Sequence, residues 1–115
     1  MITGAGTIIY SKDAEADRAV FRDVFGLPSV DAGGGWLIFG LPPSDVSFHP
    51  AETSRAHEFY LMCEDIEAFV SKVSGQGITC GTIGDQGWGL LSSVTLPGGG
   101  TIGVYEPKHK RPERP

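Results

Sequence analysis

Apolar positions follow two different rhythms along this chain. Between Ala14 and Phe25 they recur at helical spacing, as Ala16, Val20, Phe21, Val24 and Phe25. Asp13, just ahead of them, can accept a free amide of the first turn, and Gly26 with Pro28 ends the run. A second helical stripe, Ile66, Phe69, Val70 and Val73, starts after Asp65 and stops at Gly75 and Gly77. These spacings predict helices over 14–25 and 65–74. The other apolar runs are short and β-prone: Thr7–Ser11, Ser29–Ala32, Trp36–Leu41, Val46–His49, Glu58–Cys63, Ile78–Ile83, Trp88–Leu96 and Thr101–Glu106. Gly33–Gly35, Pro42–Asp45, Asp85–Gly87 and Pro97–Gly100 separate several of them as turns.

The two halves share a plan. Asp13 and Asp65, Gly35 and Gly87, and Trp36 and Trp88 are all 52 residues apart. Each half closes on an aromatic, a polar residue and proline: Phe48-His49-Pro50 and Tyr105-Glu106-Pro107. Three matched pairs in one order at one offset indicate a duplicated strand-helix-strand-strand-strand unit.

At 115 residues the chain is expected to be one domain over 1–107, with module one at about 4–50 and module two at about 56–107. Residues 108–115 carry basic residues and prolines but nothing apolar, and are expected to be a flexible tail with His109 in solvent. A net charge of −5 disfavours phosphate-backbone binding, so no nucleic-acid partner is expected. No apolar run approaches membrane-spanning length, so no membrane association is expected. The start, Met1–Gly6, does not read as a signal peptide, and Cys63 and Cys80 lack metal spacing. The expected setting is the cytoplasm.

Several segments resemble the vicinal-oxygen-chelate superfamily of glyoxalases, bleomycin-resistance proteins and extradiol dioxygenases. The stretch from Asp13 to Leu27, ending Val24-Phe25-Gly26-Leu27, is similar to that family's first helix and its close. His57–Asp65, Asp85–Gly89 and Leu96–Pro107 are further echoes, and together the likeness spans residues 4–107. The resemblance implies an α+β protein of two tandem βαβββ modules. Their curved, half-open mixed sheets would surround a cleft, with the helices on the outer face. It also implies a homodimer, because small relatives complete their clefts by pairing.

Strand alternation indicates which side chains face such a cleft. A sheet covered by a helix on one side shows an apolar row toward the helix and a mixed row away from it. Glu58–Cys63 splits into Phe59/Leu61/Cys63 and Glu58/Tyr60/Met62, and the last strand into Ile102/Val104 and Gly103/Tyr105. By the same parity and the 52-residue offset, Gly6, Ile8, Tyr10, Ser47 and His49 join the cleft row. Tyr10, Trp36, Ser47, Tyr60, Met62, Trp88 and Tyr105 are therefore the candidate ligand-binding residues, a largely aromatic set suited to a small organic molecule.

The resemblance places metal ligands of the metal-dependent relatives at Gly6, Ser47, Glu58 and Gly103. Two of these have no side chain and serine is a weak ligand, so neither a metal nor another cofactor is expected. Should a divalent metal ion bind, the available donors are Glu58, His57 and His49. Glu58 and His49 are also the candidate catalytic pair, of the types that serve as general acid and base. Gly98–Gly103 has the dinucleotide-loop spacing, but a β-prone run follows where a helix is needed, so it reads as a hairpin turn. The expected function is metal-free binding of an apolar or aromatic small molecule. The alternatives are a metal-dependent lyase, isomerase or extradiol-type dioxygenase, and a non-catalytic interaction domain. Whether any reaction occurs is left open by the sequence.

Overall fold

The computed structural model describes residues 7–45, 47–48, 50, 52–53 and 57–113. Helix α1 (Ala14–Ala19) is capped by Asp13, whose Oδ1 accepts the Ala16 amide at 3.1 Å. The helix then widens into a π-helical turn over Val20–Val24, with the Phe25 amide donating to the Val20 carbonyl at 3.0 Å. The expected helix over 14–25 is thus a helix with a changed pitch. Gly26 closes it at φ 67°, a left-handed conformation open to glycine. Helix α2 (Ile66–Gly75) repeats the start: Asp65 Oδ1 accepts the Ala68 amide at 3.1 Å.

Seven strands lie among the described residues. β1 (Ser29–Asp31) and β2 (Leu37–Phe39) form an antiparallel pair, with Val30 opposite Ile38. The second sheet holds β3 (Tyr60–Met62), β4 (Thr79–Cys80), β5 (Gly84–Asp85), β6 (Gly89–Thr95) and β7 (Thr101–Pro107). Its order is β3-β7-β6-β4, and β5 also pairs with β6. β3 runs parallel to β7 and the other pairs are antiparallel, so the sheet is mixed and open. β4 and β5 act as one interrupted strand. At the break the Gly81 amide donates to Ser93 at 2.9 Å, and the buried Ser92 hydroxyl donates to the Gly81 carbonyl at 2.8 Å.

The second half therefore runs strand, helix, interrupted strand, strand, strand. The first half supplies a helix and a hairpin. Two sequence expectations are corrected here. Residues 7–11 form no strand, nor do Ser47 and Phe48; Val46 and His49 lie outside the described residues. A short extended segment gains little without a neighbour to take up its backbone hydrogen bonds, and Ile8, Tyr10 and Phe48 stand largely exposed. β5 occupies part of what the sequence presents as a turn.

One core serves both halves. Val20 and Phe21 of the first helix cluster with Ile66, Val73, Val94, Leu96, Ile102 and Val104. Rings extend the contact: Phe21 packs on Phe25 and Phe39 at 5.1 and 5.5 Å, and Phe25 reaches Phe69 of α2 at 6.2 Å. Buried Asp17 accepts the Gly98 amide at 2.8 Å, tying α1 to the β6–β7 turn. The outcome is an α+β protein with both helices against the apolar row of the large sheet, leaving the other face of that sheet for the site. Among the described residues no helix is long and apolar enough to cross a membrane.

Candidate functional site

The uncovered face of the large sheet is set by register. Tyr60 pairs with Gly103 and Met62 with Tyr105, while Leu91 lies opposite Tyr105 and Ser93 opposite Gly103. Strand alternation then turns Tyr60, Met62, Leu91, Ser93, Gly103 and Tyr105 to the same side. Leu61, Ser92, Val94, Ile102 and Val104 point the other way; of these, all but the half-buried Leu61 are buried.

Three aromatic rings meet on this face. Tyr105 packs edge-on against Trp88 at 5.0 Å and Tyr60 at 5.8 Å, and Tyr60 meets Trp88 at 6.3 Å. Two glycines make room for them. A Cβ at Gly103 would overlap the Tyr60 ring, and one at Gly89 would lie 2.9 Å from Tyr105 Cδ2 and 2.8 Å from the Glu106 carbonyl oxygen. Glycine in these strands lets an aromatic ring approach the neighbouring backbone closely. The Tyr60 hydroxyl donates to Glu58 Oε2 at 3.1 Å. Burial, and then the bond to Glu58 and its charge, push the Tyr60 phenol above its ordinary range, and burial does the same for Tyr105.

Tyr60 also borders a cavity of about 400 Å³, lined by Glu58, Leu91, Ser93 and Gly103 of this face, by Phe59, Ser92, Leu96 and Ile102 of the opposite row, and by Ile9 and His57. A second hollow of about 470 Å³, between Met62, Cys63, Glu106, His109 and Arg111, lies at the far end of β3 and β7. Burial, reinforced by the charge of Glu106, pushes the Cys63 thiol up to about 11. At neutral pH it is a thiol and a poor nucleophile.

The sequence-derived candidates divide into two groups. Tyr60, Trp88 and Tyr105 come together, Met62 pairs with Tyr105, and Glu58 joins through Tyr60. Tyr10 is 89% exposed, Ser47 is exposed, and Trp36 lies under the Arg18 guanidinium at 5.4 Å on α1, so these three stand apart from the cluster. His49 lies outside the described residues, and so does Gly6. His57 is exposed at the rim of the first cavity. Gly89, Leu91 and Ser93 escaped the sequence reading, although alternation through Trp88–Leu96 marks them. His109, expected in solvent, has its Nε2 3.1 Å from the Tyr105 hydroxyl. A pattern with no apolar residue holds no signal for that contact.

In its fold, an open mixed sheet backed by two helices, the chain is similar to solved glyoxalase and bleomycin resistance proteins. An antibiotic-binding protein from Streptomyces sp. CB03234 superposes with a TM-score of 0.65 at 16% identity, covering 93% of this chain and 100% of that one. A lactoylglutathione lyase from Agrobacterium tumefaciens matches with a TM-score of 0.63 at 18% identity, covering 87% of this chain and 90% of its own. A glyoxalase/bleomycin resistance protein from Streptomyces sp. CB03234 gives 0.59 at 18% identity, covering 84% and 93%. No family model matches the sequence, and no curated protein does.

Proposed function

We propose that this chain binds a small apolar or aromatic molecule on the uncovered face of its large sheet, without a metal ion. The observation that carries this reading is the aromatic wall of Tyr60, Trp88 and Tyr105 floored by Gly103 and Gly89, beside a cavity of about 400 Å³. That volume is in the range of small-molecule sites, and flat rings beside a few polar groups suit an organic ligand. The antibiotic-binding neighbour makes such a role reasonable for this fold.

The metal-dependent alternative fits the residues poorly. Gly103 stands where the resemblance calls for a ligand, and the Tyr60 ring fills the space such a side chain would need. Among the described residues no three His, Cys, Asp or Glu side chains cluster in a way that could hold a metal. A reducing cytoplasmic setting suits the two free thiols, Cys63 and Cys80.

The test is binding of a neutral fluorescent aromatic, N-phenyl-1-naphthylamine, read by its emission. Tyr60→Ala is expected to weaken binding by about 1–3 kcal/mol, the scale for losing a packed aromatic anchor. Unchanged affinity in that variant, or stoichiometric zinc, nickel, iron or manganese in protein purified without added metal, would overturn the reading.

A further inference from the structure

Residues 108–111, just after β7, do not leave the molecule. Lys108 Nζ donates to Asp85 Oδ2 at 2.6 Å, and the Lys108 amide to the Trp88 carbonyl at 2.9 Å. The His109 ring lies 5.9 Å from that of Tyr105, with Nε2 at the Tyr105 hydroxyl. His109 Nδ1 is 3.1 Å from the Lys110 carbonyl, which makes Nδ1 the donor and Nε2 the acceptor of the phenol proton in the neutral ring. Arg111 forks onto Asp45 at 2.9 and 3.2 Å and donates to the Pro43 carbonyl at 2.9 Å. A segment of the second half thus crosses the aromatic end of the site and fastens to the loop after β2. Under it, Tyr105 is only 9% exposed.

We propose that residues 108–113 are an intramolecular strap that occupies the aromatic end of the binding face, so that a ligand stacking on Tyr105 must displace it. This rests on the reading of that face as a small-molecule site. His109 and Arg111 of the strap line the hollow between Met62 and Glu106. The strap's described hold is mainly polar. It has no regular secondary structure, and its anchors include two ion pairs, hydrogen bonds to the Trp88 and Pro43 carbonyls and the phenol–imidazole contact. The Lys108–Asp85 pair is exposed and contributes little, while the half-covered, forked Arg111–Asp45 pair is the stronger fastening. Contacts of this kind hold a segment in place yet yield to a ligand that buries apolar area. Because ion pairs at the surface are screened by salt, release becomes easier as ionic strength rises.

The experiment uses the full chain and N-phenyl-1-naphthylamine. Arg111→Ala and Asp45→Asn each remove the fork, Arg111→Lys retains the charge, and circular dichroism verifies the fold of each. Expected results are probe binding tightened roughly tenfold in Arg111→Ala and Asp45→Asn, near-normal binding in Arg111→Lys, and wild-type binding that strengthens with added sodium chloride. Saturating probe should also speed tryptic cleavage after Lys108 and Lys110 in the wild type. Equal affinity in wild type and variants overturns the strap and leaves the binding function standing. Weaker binding in the variants overturns it in favour of a tail that adds contacts. No binding by wild type and variants alike overturns both, and a loss confined to Tyr60→Ala marks the site itself.

Discussion

At the residue scale, the site depends on side chains that are missing. Gly103 and Gly89 are the places where rings need the volume of a Cβ, and Tyr60 and Tyr105 use it. Gly103→Ala is expected to destabilise the fold by about 1–3 kcal/mol, the usual cost of overpacking, because Tyr60 must swing off the sheet. The same alanine in a Tyr60→Ala background should cost much less, since the overlapping ring is gone. Urea denaturation of the four proteins in a double-mutant cycle measures this coupling, and additive effects would show that the ring does not rest on Gly103. Tyr60 and Gly103 are legible from alternation alone. That they oppose each other is not, because the parallel register of β3 on β7 joins residues 43 positions apart.

At the element scale, the two halves share local devices. The two helix caps are the same device, an aspartate bonded to the amide three residues on. Asp31 and Asp85 likewise bond the amides of Gly33 and Gly87, ahead of Trp36 and Trp88, with two more residues in the first turn. Asp65→Ala is expected to cost about 1 kcal/mol, seen as a lower urea midpoint at unchanged slope. Glu106 shares that helix start by accepting the Ile66 amide at 3.0 Å. Glu106→Gln keeps an acceptor there and should cost less than Asp65→Ala; a larger loss would place the main cap on Glu106. The helix of the first half was readable as to place, whereas its π-helical end was not. That change of pitch follows the packing of Phe21 and Phe25 against Phe39 and Phe69, which local spacing does not encode.

At the scale of the whole molecule, the two halves are unequally covered. Among the described residues, the large exposed apolar side chains other than Trp88 lie in the first half: Tyr10 and Phe48 foremost, with Ile8, Ile9, Val30, Trp36, Ile38 and Leu41. The radius of gyration is 15.0 Å, against about 13 Å for a compact chain of this length. A single copy that leaves this much apolar surface in water is expected to pair, and a symmetric homodimer is the usual solution. Light scattering at micromolar concentration should give about twice the 12.2 kDa of one chain. A species of one chain's mass alone would reject the pairing, and Phe48→Ser should shift the equilibrium toward it.

By itself the sequence determined what is local. Helical stripes, their aspartate caps and the alternation of Thr101–Glu106 each depend on neighbours within a few residues, and the folded chain has both helices, both caps and a strand over Thr101–Pro107. The tertiary structure alone decided which rows meet. It brought Tyr60, Trp88 and Tyr105 to one face, left Tyr10, Ser47 and Trp36 outside it, and left residues 7–11 without the pairing that would make them a strand. It also turned a tail of charges and prolines back onto Tyr105 and Asp45. The physical reason is that strand register, ring packing and ion pairing between distant segments are settled by the shape of the assembled core. A residue's own pattern states which side it faces but not what it will find there.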